Sequence, residues 1–222
     1  MMEKVNFYNI TPELKVSKKI ALVGNSNSLL SGKYAKMIDS FDDVIRFNYG
    51  DLKANITGLK TTIRWINCPI VIESAKEHNK SIVTIDDMNK YTQKLFNNIS
   101  IICWKSLQDK MSPIDSTFKF YTPNEYCTLG NINGYLETLG VKHRFTVVEN
   151  CWPRTGFQAV LTCIRSGCVP HLFGFDIECH KIIKHYSLAT NYSVAHMTQH
   201  QIDNEVIILN ELKNMGLIIV HR

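Results

Sequence analysis

The sequence predicts an α/β fold: a single Rossmann-like domain, its sheet mostly parallel, with helices on both faces. Three observations carry that expectation. From Lys18 onward, short apolar runs alternate with amphipathic stretches, which is the rhythm of strands and crossover helices. Two of the helical stretches end on a glycine, Gly167 and Gly216, as helices before a return strand often do. A chain of 222 residues that is 45% hydrophobic suits one core and would be cramped by a second full domain. Residues 1–17 are polar and read as a lead-in to a domain at 18–222.

The elements follow in order. IALVG at 20–24 reads as a buried strand. Leu29, Leu30, Tyr34, Met37, Ile38 and Phe41 fall near helical spacing and predict one helix through that stretch. Strands are expected at 43–48, 61–67, 81–86 and 98–104, with a helix capped by Asp86 or Asp87 and running to Phe96. Further on come a strand at 145–150, a helix at 155–167, a strand at 169–176, a helix at 205–216 and a last strand at 217–222.

Composition narrows the function classes. The net charge of +5 comes without a dense Lys/Arg stripe. It fits an anionic ligand or a solvated basic surface and argues against nucleic acid as a partner. Seven cysteines occur at irregular spacings with no C-x-x-C pair, so neither a disulfide framework nor a zinc site is expected. Cys103 and Cys163 sit in apolar runs and read as small core residues. The first residues hold no apolar leader, and no stretch of the sequence is long and apolar enough to span a membrane. A reducing, cytoplasmic setting is the expectation, and peripheral membrane association is compatible with it.

Ligands in open α/β sheets bind outside the carboxyl ends of the strands. Gly24-Asn25-Ser26 follows a strand there and precedes a helical stretch. Gly24 lets the backbone pass close to a ligand, Ser26 can cap, and a helix start suits phosphate. Neither G-x-G-x-x-G nor the P-loop is present, so the segment fits a nucleotide loop of another kind or a plain turn. Asn48 ends the next strand, and two amides at neighbouring strand ends suit a base or ribose as well as they suit two turns. Arg154-Thr155-Gly156 opens a later helix after Pro153. There Thr155 can cap, Gly156 can admit a ligand to the N–H groups, and Arg154 can add a cation, or the whole is an ordinary helix start. Residues 178–205 hold His180, His185, His196 and His200. His196 and His200 are one helical turn apart, but H-E-x-x-H is absent and no metal is expected. The segment reads either as a polar loop or as a lid carrying a general base.

Taken in order, these motifs resemble the sialyltransferases of glycosyltransferase family 29. The first long motif corresponds to Val23-Gly24-Asn25-Ser26 and Asp43-Val44-Ile45-Arg46-Phe47-Asn48. The second corresponds to Pro153-Arg154-Thr155-Gly156-Phe157 with Phe173-Gly174-Phe175 downstream. His185-Tyr186 matches the third, and His200 with Glu205 the last, H-x4-E. The plan is also similar to that of bacterial family 42 sialyltransferases. Two positions depart from the pattern. Ile20 stands where animal members have a cysteine, and Arg154 replaces the usual serine.

The resemblance implies a GT-A-like variant of the fold and a donor, CMP-sialic acid, with no cofactor and no divalent metal. Asn25 and Asn48 would contact the CMP group, with Gly24, Ser26 and Tyr186 also in the donor site. Thr155 and Gly156 would cradle donor hydroxyls or carboxylate, and Arg154 would stand beside them. His185 would assist departure of the phosphate, and His200 would take the proton of a hydroxyl on a glycan or glycolipid acceptor, a galactoside being the expected one. Glu205 would support the motif. A nucleophile that attacks in line inverts the anomeric carbon, and an imidazole titrating near neutrality suits the base. The same motifs admit transfer of Kdo or another nonulosonic acid, and the loops alone admit a non-catalytic CMP-sugar-binding module or another Rossmann enzyme.

Overall fold

The computed structural model describes residues 18–47, 52–66, 100–103, 120–121, 129–148, 151, 153–175, 177 and 201–221. Among them, seven strands form one sheet: β1 (Ile20–Val23), β2 (Asp43–Phe47), β3 (Ile63–Ile66), β4 (Ser100–Cys103), β5 (Phe120–Tyr121), β6 (His171–Phe173) and β7 (Ile219–His221). Their order is β5-β4-β3-β2-β1-β6-β7, and every pairing is parallel. Strands add outward from β1 to β5, and the chain then crosses back to lay β6 on the other flank of β1. The order therefore reverses between β1 and β6, which is where open α/β sheets leave a crevice for ligands.

Burial explains why IALV forms the central strand. All four residues of β1 are at most 1% exposed, because the pleat sends alternate side chains into two separate cores. Ile20 and Leu22 join Ile45, Phe47, Ile63 and Trp65 on one face. That face is covered by α2 (Leu129–Thr138), α3 (Thr155–Arg165) and α4 (Ile202–Asn214). Ala21 and Val23 join Val44 and Phe173 on the other face, under Leu29, Ile38 and Phe41. Those last three come from a 3-10 helix (Asn27–Ser31), the short helix α1 (Ala35–Asp39) and the turn that follows it.

Several expectations need amendment. The single helix expected after β1 is two pieces, because Gly32 takes φ 72 between them and a Cβ there would lie 2.6 Å from the carbonyl oxygen of Asn55. The strand expected at 145–150 is not formed over its described part, 145–148. Side chains take the hydrogen bonds that a neighbouring strand would make. Asn133 accepts from the Phe145 N–H at 2.9 Å, and Gln201 accepts from the Thr146 N–H at 2.9 Å. The helix α4 starts at Ile202, three residues earlier than its apolar pattern suggested. Helix α2 and strand β5 were not anticipated. The strand expected at 81–86 and the helix to Phe96 lie outside the described residues.

Candidate active site

The loops that leave β1 and β6 are interlocked. The Gly24 N–H donates to Phe173 O at 2.8 Å, and the Ser26 N–H donates to Gly174 O at 3.3 Å. A Cβ on Gly24 would sit 2.4 Å from Gly174 O, and one on Gly174, whose φ is 67, would sit 2.8 Å from the Leu29 side chain. The glycine at 24 is thus required by the neighbouring backbone, a tighter constraint than the ligand approach inferred from sequence. Ser26 caps as expected. Its Oγ accepts from the Ser28 N–H at 3.1 Å. What it caps is a five-residue 3-10 helix, so few peptide dipoles are aligned behind this loop and the phosphate-attracting field expected of it is weak.

Asn25 is half-buried, and its Nδ2 points to Phe47 O at 3.5 Å, the long limit of a hydrogen bond. The side chain therefore spans from the end of β1 to the end of β2. The two strands are the parallel neighbours that this contact requires, with Val23 opposite Arg46. Asn48 itself lies outside the described residues, as do His185, Tyr186 and His200.

Helix α3 supplies the other wall. Arg154, at φ −61 and ψ 152, is its N-cap and makes no side-chain cap bond. The capping role expected of Thr155 is corrected: Thr155 is the first helical residue and is buried. The cap comes instead from another helix. Glu205, in the first turn of α4 and 1% exposed, accepts from the Arg154 N–H at 2.5 Å through Oε1 and from Arg154 Nε at 2.6 Å through Oε2. Gln158 steadies the same turn by donating from Nε2 to Pro153 O at 2.9 Å.

Phe175 joins the two walls. Cβ atoms built on Gly24 and Gly156 would meet opposite edges of its ring, Cδ2 at 3.2 Å and Cε1 at 3.0 Å. Its ring also packs edge-on against Phe47, with centroids 6.1 Å apart. The expected opening of Gly156 toward a ligand is therefore amended, since the direction a side chain would take is filled by Phe175. Four parts of the chain, the segments following β1 and β6, the last residue of β2 and the start of α3, converge on this ring.

The structure brings Gly24, Asn25, Ser26, Arg154, Thr155 and Gly156 to one end of the sheet, where its order reverses. It also places Gln201, the residue after position 200, at the mouth of α4 in the left-handed region with φ 47. Gln201 is held to Thr146 in both directions, Oε1 accepting at 2.9 Å and Nε2 donating at 2.6 Å. Phe175 as a spacer and the Arg154–Glu205 pairing were not read from the sequence. Among the described residues no group of three His, Cys, Asp or Glu is clustered to hold a metal ion.

Comparison with known proteins bears on the family and the fold. The model of glycosyltransferase family 29 (sialyltransferase) matches residues 9–217. Two crystal structures described as a mammalian sialyltransferase share the fold. One is in complex with Gal-beta-1-3GalNAc-ortho-nitrophenol, at 18% identity and TM-score 0.55, covering 92% of this chain and 69% of that one. The other, again at 18% identity and TM-score 0.55, covers 96% of this chain and 72% of that one. A comparison with curated protein sequences gives no match.

Proposed function

Because the chain belongs to glycosyltransferase family 29, the sialyltransferase family, we propose that it transfers sialic acid from CMP-sialic acid to a glycan hydroxyl, with inversion and without a divalent metal. The observation that carries this reading is the convergence of the segments after β1 and β6 and the end of β2 with the start of α3 at the reversal of strand order. Sequence motifs lying more than a hundred residues apart thereby share one crevice, as a bipartite donor needs.

In this reading Asn25 and Asn48 bind the cytidine portion, with Gly24, Ser26 and Tyr186 around it. The N–H groups at Thr155 and Gly156, on the positive end of an eleven-residue helix, hold the donor's carboxylate or hydroxyls. The C2–O bond to the phosphate breaks as the acceptor oxygen attacks the opposite face. His185 offsets the charge that grows on departing CMP, and His200 removes the acceptor proton. His200 is joined directly to Gln201, whose position at the mouth of α4 is fixed by Thr146 and by the Glu205 N–H donating to Gln201 O at 3.1 Å. A galactoside on a glycan or glycolipid is the proposed acceptor, the fold is GT-A-like, and the setting is cytoplasmic. Ile20 supports that setting. It is fully buried where animal members have a motif cysteine.

The test is transfer from CMP-sialic acid to an acceptor array, with and without EDTA, and with CMP-Kdo as a second donor. Transfer from CMP-sialic acid that resists EDTA is expected. His200→Ala should lower kcat by about 10²–10⁴-fold, the usual range for general-base assistance. Full activity in that variant would remove His200 from the mechanism, and exclusive use of CMP-Kdo would replace the donor.

A further inference from the structure

Arg154 stands where the resemblance leads one to expect a serine that contacts the donor. Its guanidinium is instead committed to Glu205, with Nε 2.6 Å from Oε2, while its own N–H lies 2.5 Å from Oε1. The pair spans 51 residues of sequence and links the N-cap of α3 to the first turn of α4. Glu205 is 1% exposed and the Arg154 side chain 23% exposed, so the attraction is only partly screened.

We propose that Arg154 is a positioning residue whose charge keeps the start of α3 usable by an anionic donor. The proposal rests on the sialyltransferase reading above. A carboxylate capping a helix start uses up the positive end that would attract an anion. Glu205 does so here, because it accepts the Arg154 N–H. Its negative charge, buried against Arg154 at the N-cap of α3, would by itself repel the sialyl carboxylate or the phosphate. The guanidinium cancels that charge and leaves the N–H groups of the first turn as the dominant field. The same two bonds fix α3 against α4. Since α4 begins just after position 200, the bridge also ties the donor cradle to the helix that follows the proposed base.

The two roles separate by the sign of their effects. In Arg154→Met the carboxylate remains without its counter-charge, and the Kd for CMP-sialic acid should rise by about five- to thirtyfold, the upper part of the range for a unit charge at a helix start, where the charge is partly buried. In Glu205→Gln an amide still accepts a hydrogen bond and the repelling charge is gone. Donor Kd should then fall to or below the wild-type value, since the guanidinium is left unopposed, while kcat falls because the bridge no longer fixes α4. The double variant, R154M with E205Q, should recover donor affinity and keep the kcat defect. Donor Kd is read by calorimetry without acceptor, and kcat by CMP release with acceptor. Equal weakening of donor binding in both single variants would reduce the bridge to a structural tie and overturn the proposal, as would unchanged binding in R154M. If R154M does not fold, the double variant and E205Q still decide, since weakened donor binding in either overturns it. A wild type that binds CMP-sialic acid but transfers nothing would defeat the enzymatic reading and leave this comparison intact. One that binds no CMP-sialic acid defeats both.

Discussion

At Gly24 a single methyl group has no room. The nearest atom to an added Cβ is the carbonyl oxygen of Gly174 at 2.4 Å, a backbone atom that cannot rotate away. Gly24→Ala should therefore push β1 and β6 apart at their carboxyl ends and lower stability by about 1–3 kcal/mol, as overpacking does. Urea unfolding gives the measurement, and a stability equal to wild type would show that the loops can separate freely. Gly156→Ala meets the Phe175 ring at 3.0 Å, and a ring edge can yield. Its cost should be smaller, and should shrink further when Phe175 is also changed to Leu. The sequence marked both glycines as special but attached them to a ligand. The reason is physical: the atom that forbids a Cβ at position 24 belongs to residue 174, and no local pattern carries that distance. Arg154 and Glu205 show the same blindness. Each was marked as a candidate by its own motif, and their charges meet only because two helices start side by side.

At the scale of elements, local pattern served where burial was one-sided or complete. The strands at β1, β2, β3, β4, β6 and β7 and the helices α3 and α4 were all legible as apolar runs or helical spacings. Helix α2 was not, because LGNINGYLET carries two glycines and two asparagines, residues of weak helical preference. What makes it a helix is its buried face of Leu129, Ile132 and Leu136, spaced by three and four, and packed on the core. The segment at 145–148 erred the other way. Its valines suit a strand, yet Val147 and Val148 are 67% and 51% exposed, and side chains of α2 and α4 hold the backbone nearby. Glu211 accepts from the N–H groups of Lys142 and His143 at 2.6 and 3.1 Å.

The flank of the sheet carries a titratable contact. His171 Nδ1 on β6 and His221 Nε2 on β7 lie 2.9 Å apart, so one nitrogen must donate and the other must be unprotonated. Phe41, Phe173 and Tyr34 pack around the pair. Burial holds both imidazoles below the usual histidine range, helped by Lys19 at His171 and by His171 at His221. A lowered folded value means that the unfolded chain binds more protons from about pH 6.5 downward, so this contribution is intact above that pH and is lost as pH falls from there through the lower folded values. The urea midpoint should be lower at pH 5.5 than at pH 7.5, and the difference should shrink in a variant with Asn at both positions. An unchanged difference would place the pH dependence elsewhere.

Across the whole molecule, one core cluster draws on β1, β2, β3, β6, β7 and the three helices α2, α3 and α4. Unfolding by urea should accordingly be a single transition, coincident by far-UV circular dichroism and by tryptophan fluorescence, to which the buried Trp65 contributes. Two separated transitions would divide the chain into independent units. The fold class and the parallel pairing were legible, because they follow from alternation. The order of the strands was not, since several orders satisfy the same alternation. That order is what joins the motif at 24–26 to the one at 173–175.

The strand order also bears on how the chain is made. Ala21 and Leu22 on β1 pair with His171 and Leu172 on β6, a partner that leaves the ribosome about 150 residues later, and contacts of such long range slow folding. Until then one edge of the most apolar strand in the sheet stays open to other chains, and a nascent polypeptide in that condition is prone to aggregate. Synthesis of this enzyme should thus lean on chaperones during the interval. Ribosome-bound chains that stop short of residue 171 should remain sensitive to protease in the segment around β1, whereas released full-length chains should resist.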